Sequence, residues 1–113
     1  MAIKIYPHIK HEVKMGDALP NVLTQEQFNL FLQANTEGYW DDGAEYQSEC
    51  EVNADSLKKL IEGLKDQVKR VDYVNECPLP LETENEWDLF IMVLEKLYND
   101  ADKTSGYVHW NWF

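Results

Sequence analysis

Apolar residues alternate with polar ones near both ends of the chain and again in its middle, and between those stretches they recur at helical spacing. From Ala2 to Ile9, Ile3, Ile5 and Ile9 fall on one side and Lys4, Tyr6 and His8 on the other, the period of a half-buried strand. Pro7 lacks a backbone donor, which places this strand at a sheet edge or a bend. Ala44 to Val52 alternates more cleanly, with Tyr46, Ser48, Cys50 and Val52 facing one way and Glu45, Gln47, Glu49 and Glu51 the other. A fully polar outer face predicts a sheet open to water on that side. Tyr107 to Phe113 is rich in aromatic residues that suit a pleated surface and reads as a final strand, with Val108, Trp110 and Trp112 closing the core.

The helical stretches carry their own start signals. Thr24-Gln25-Glu26-Gln27 is a capping box, and Leu23 is placed to pack on Phe28, so a helix is predicted from about Gln25 to Asn35 with Phe28, Phe31 and Leu32 buried. A second helix, capped by Asn53 or Asp55, buries Leu57, Leu60, Ile61, Leu64 and Val68; Gly63 inside it marks a close approach by a neighbour. A short strand fits Val71 to Val74, and Cys77-Pro78-Leu79-Pro80-Leu81 is an extended connector. Thr83 to Glu86 is a second capping box that opens the strongest helix, with Trp87, Phe90, Ile91, Leu94, Leu97 and Tyr98 on its stripe and Leu89, Met92 and Val93 widening it. Thr36 to Gly43, with two glycines and no period, reads as a loop.

The resulting order, β-α-β-α-(β)-α-β, predicts a two-layer α+β fold, about three helices on one face of a small mixed or antiparallel sheet. With 113 residues it forms one domain, 1–113, which buries roughly 60–70% of its unfolded surface. At 44% hydrophobic and 12% aromatic residues the chain has the material for a core, so its acidity does not signal disorder. Two cysteines, Cys50 and Cys77, with no C-x-x-C pair, fit free thiols in a reducing compartment, and no signal-like or membrane-length apolar run occurs. The expectation is a cytoplasmic protein without a membrane partner.

Charge changes this picture. The net charge is -11, and between Gly16 and Ser56 stand nine acids (Asp17, Glu26, Glu37, Asp41, Asp42, Glu45, Glu49, Glu51 and Asp55) with no lysine or arginine. Such a block repels nucleic acid and anionic lipid and attracts cationic surfaces. Glu45, Glu49 and Glu51 project from one strand face at intervals of about 6.6 Å per two residues. Glu37, Asp41 and Asp42 lie just upstream, beside Tyr39 and Trp40. Aromatic rings ringed by carboxylates suit an arginine-rich partner, because the rings take cation-π contacts and the carboxylates accept charge-assisted hydrogen bonds. The same acids also fit a solvated sheet face, partly neutralised by Lys4 and Lys10, and Trp40 also fits as a lid folded onto the core.

Catalytic chemistry finds less support. Cys50 acts as a nucleophile with His109 only if their strands are neighbours, and its apolar-face position suits an inert core thiol. His8 and His11 are offset by three in a strand, which points them to opposite faces, and Asp41-Asp42-Gly43 lacks calcium-loop spacing. No phosphate-cradling loop or hydrolase motif is present. No catalytic residue, metal or cofactor is therefore assigned. The expected function is a non-enzymatic interaction protein that binds and inhibits a basic partner, immunity-type or as a nucleic-acid mimic occupying a nucleic-acid-binding protein. Glu37, Tyr39, Trp40, Asp41, Asp42, Glu45, Glu49 and Glu51 form its binding surface. The alternatives are a small enzyme or ligand-binding domain with a helix/sheet pocket, and a homo-oligomeric structural or assembly protein pairing through the C-terminal strand.

Overall fold

The computed structural model describes residues 5–7, 22–41, 49–101 and 105–112. They form strand β1 (Ile5–Pro7), helix α1 (Gln25–Asn35), strands β2 (Trp40–Asp41) and β3 (Glu49–Asn53), helices α2 (Ala54–Lys65), α3 (Gln67–Glu76) and α4 (Glu84–Asp100), and strand β4 (Tyr107–Trp112). The sheet order is β1-β4-β3-β2 and every pairing is antiparallel. Helices cover one face, giving the two-layer α+β arrangement that the apolar periods predict.

Sheet alternation decides which side chains meet the helices. Cys50, Val52, Val108, Trp110, Trp112 and Ile5 are buried on the helix side. Phe28 from α1 packs edge-on against Trp110, Trp112 and Phe90 with centroids 6.1, 5.3 and 6.1 Å apart, an arrangement that suits the aromatic quadrupoles. Both capping boxes form: the Thr24 hydroxyl accepts from the Gln27 amide at 3.2 Å, and the Thr83 hydroxyl from the Glu86 amide at 3.2 Å. Asn53 caps α2 through the Ser56 amide.

Four sequence expectations are corrected among the described residues. Val71 to Val74 lies in α3 and not in a strand, which makes four helices where about three were expected. The second helix stops at Lys65, because the Asp66 carboxylate accepts from the Val68 and Lys69 amides and starts a new helix in a new direction. Val68 consequently leaves the buried stripe and is 80% exposed. Trp40–Asp41, placed in a loop by its composition, pairs with Glu51 and Cys50; Gly38, at φ +69°, turns the chain out of α1 toward that pairing. Leu89 is exposed on α4, whereas Val93 is buried and Met92 half-buried.

Strand order gives the positions of β1 and β4. Among the described strands β1 is terminal, a position that suits Pro7. Among the described strands β4 is an inner strand, with β1 on one side of Trp110 and Asn111 and β3 on the other. The close approach at Gly63 comes from Tyr73 of α3: a Cβ at Gly63 would stand 2.6 Å from the Tyr73 hydroxyl. Among the described residues no helix is long and apolar enough to cross a membrane.

Candidate functional site

The sheet face turned away from the helices is organised in rows, because directly paired residues of antiparallel strands project to the same side. Trp40, Glu51 and His109 form one row across β2, β3 and β4. Glu49, Asn111 and Tyr6 form the next, across β3, β4 and β1, and Asn53 and Tyr107 a third. Glu49 is exposed and Trp40 is 50% exposed. Trp87, Trp110 and Trp112 are all buried, so Trp40 is the one tryptophan that meets solvent. It stands out from the core and does not fold back as a lid.

The predicted surface residues divide between the two faces. Trp40, Glu49 and Glu51 come together on the outer face. Tyr39 and Asp41 belong to the helix side, where Asp41 Oδ2 accepts hydrogen bonds from the Tyr39 hydroxyl at 3.2 Å and from Asn29 Nδ2 at 2.9 Å. Asn29 Oδ1 in turn accepts from the Trp112 indole at 3.1 Å. These bonds tie α1 to β2 and β4, so Asp41 and Tyr39 are structural supports of the surface. Burial, first, and then the charges of Cys50 and Asp41 and hydrogen bonds to both hold the Tyr39 phenol well above its ordinary pKa. Glu37 is exposed at the turn after α1; its carbonyl accepts from the Asn53 amide and the Ser56 hydroxyl, and it lies away from the Trp40 row. Asp42 and Glu45 lie outside the described residues, as do Lys4, Lys10, His8 and His11.

Two features escape sequence reasoning. A groove of about 390 Å³ runs between α1 and β2, with Glu26, Asn29, Leu30 and Gln33 on the helix and Tyr39, Trp40 and Asp41 opposite. Its helix wall repeats at i, i+3, i+4 and i+7, and Leu30, 49% exposed, is the apolar residue on that otherwise polar stripe, the one signal that marked it in the sequence. The second feature is His109, whose Nδ1 lies 3.4 Å from Glu51 Oε2 and whose Nε2 lies 3.4 Å from Ser105 Oγ. No sequence motif links a turn serine to a strand glutamate more than fifty residues earlier.

Cys50 and His109 do sit on neighbouring strands, yet the register sets Cys50 opposite Trp110 and His109 opposite Glu51. Their side chains therefore project from opposite faces. Among the described residues no three His, Cys, Asp or Glu side chains converge as metal ligands. Compared with protein-family models, with curated proteins and with solved structures, the chain matches none of them.

Proposed function

We propose that this chain is a non-enzymatic acidic interaction protein that binds a basic partner protein and blocks it, either as an immunity-type inhibitor or by standing in for nucleic acid on a nucleic-acid-binding protein. The observation that carries this reading is the half-exposed indole of Trp40 in a row with Glu51 and beside exposed Glu49, on a chain of net charge -11. An exposed tryptophan supplies a rigid apolar anchor, and surrounding carboxylates steer a cationic partner onto it and suppress anionic ones. A cytoplasmic setting belongs to this reading, in keeping with two free thiols, one of them buried.

The test is capture of partners from an extract of the source cells at low salt, followed by elution with a salt gradient. A single basic protein is expected, and the triple variant E45Q/E49Q/E51Q should bind it more weakly and with a flatter salt dependence. Affinity that is unchanged in the triple variant would refute the acidic strip as the binding surface.

His109 favours a second reading, a small hydrolase. An imidazole set between a carboxylate and a serine hydroxyl has the order of groups used to activate a nucleophile: Glu51 orients the ring and Nε2 takes the Ser105 proton. Both separations, 3.4 Å, are long for that role and need to tighten around a substrate. Labelling by a fluorophosphonate probe that disappears in S105A and weakens in E51Q would support this reading; an unlabelled wild-type protein would dispose of it.

A further inference from the structure

The groove between α1 and β2 meets the acidic face at Trp40, and the two together define what kind of basic segment fits. Leu30 and Trp40 are exposed apolar side chains that share this groove, with the Glu26 carboxylate on the helix wall. On the far side of Trp40 its cross-strand partner is Glu51. The remaining large apolar side chains exposed among the described residues, Val68, Val71 and Leu89, stand on α3 and α4 instead. Since no lysine or arginine occurs between Gly16 and Ser56, this segment brings no cation of its own to its carboxylates.

A lysine and an arginine differ in what they gain here. The ammonium of lysine is compact and strongly hydrated, whereas the guanidinium of arginine is flat, weakly hydrated and able to lie on an indole while its edge donates to carboxylates. The protein already uses that contact internally: the Arg70 guanidinium carbon lies 4.8 Å from the centroid of the Trp87 ring, with Glu84 accepting from the same guanidinium at 3.0 Å. Half-exposed Trp40, with the partly exposed Glu51 beside it, presents the aromatic and acidic halves of the same arrangement, and Glu51 Oε2 also faces His109.

We propose that the groove between α1 and β2 receives an arginine-bearing segment of the partner protein, with an apolar side chain against Leu30 and a guanidinium over the Trp40 indole, flanked by Glu26 and Glu51. This rests on the reading of the chain as a binder of a basic protein and adds that the partner must offer arginine next to an apolar residue, not positive charge alone.

The experiment uses the full chain and three short fluorescein-labelled peptides of equal charge: one alternating arginine with leucine, a twin with lysine for arginine, and a twin with glycine for leucine. Fluorescence anisotropy is read at low and at high salt. The arginine–leucine peptide is expected to bind tightest, about threefold or more over the lysine twin, as an exposed cation-π contact implies. W40L keeps apolar bulk without the aromatic face and should abolish that difference, and L30A should abolish the advantage of leucine over glycine. Both side chains are half-exposed, and near-UV circular dichroism checks that each variant keeps the wild-type fold. Equal binding of the arginine and lysine peptides, with W40L unchanged, would overturn the inference; if binding stayed salt-sensitive, the basic-partner reading would stand. Failure of all three peptides to bind even at low salt would overturn both.

Discussion

Removing Arg70 should destabilise the protein far more than removing its ion-pair partner. Among the described residues Arg70 is the one buried charged side chain, at 8% exposure, and it joins three helices. Its Nε donates to the Leu64 carbonyl near the end of α2 at 2.9 Å, its guanidinium donates to Glu84 in the first turn of α4 at 3.0 Å, and it covers the Trp87 ring. A hydrogen bond from a charged donor to a buried carbonyl contributes about 1.5–3 kcal/mol, and the cation-π contact about 1 kcal/mol. The ion pair contributes little, about 0–1 kcal/mol, because the Glu84 side chain is 57% exposed and water screens it. R70A should therefore cost about 3 kcal/mol and E84Q less than about 1 kcal/mol, against a total stability on the order of 5–15 kcal/mol. R70K should recover only a minor part, since an ammonium cannot serve the Leu64 carbonyl, Glu84 and the Trp87 face together. Urea unfolding followed by tryptophan fluorescence gives the three values. The reasoning would be refuted by an E84Q penalty equal to that of R70A, which would make the ion pair the main source of Arg70's stabilising effect, or by an R70A penalty below about 1 kcal/mol.

Two further predictions concern the supports of the acidic face. W112F should cost about 1–2 kcal/mol more than W110F, because the Trp112 indole donates to Asn29 whereas the buried Trp110 Nε1 has no hydrogen-bond partner among the described residues; equal penalties in chemical denaturation would contradict this. Tyr39 should give the fold an alkaline limit: both states keep the phenolic proton below about pH 10, while above it the unfolded chain releases a proton that the folded chain holds. Stability then falls as pH rises, and Y39F should flatten that decline; an alkaline limb identical in Y39F would exclude Tyr39 as its source.

Much of this fold is written in local patterns. The capping boxes at Thr24 and Thr83 fix where α1 and α4 begin, and the alternation of Cys50 and Val52 against Glu49 and Glu51 fixes which side of β3 meets the core. The failures share one physical cause, which is that tertiary partners override local composition. Trp40–Asp41 becomes a strand only because β3 pairs with it, and Val68 fits the stripe of α2 until Asp66 redirects the chain. The surface divides in the same way. Glu49, Glu51 and Trp40 were legible as an acidic, aromatic face, but the register that unites them, and the alternation that turns Asp41 inward to Asn29, require the paired strands. Ser105 meets His109 only through the turn ahead of β4.

Whether Trp40 stands exposed in an anionic field is tested most directly by quenching tryptophan fluorescence with caesium and with iodide at matched low ionic strength, each scaled to a free indole. The other three tryptophans are buried, so the quenchable emission reports on Trp40. Caesium should quench it more strongly than iodide relative to the free indole, the difference should shrink as salt screens the field, and W40F should remove the quenchable fraction. Iodide quenching equal to that of caesium, or quenching unchanged in W40F, would contradict an exposed aromatic anchor held within acidic surroundings.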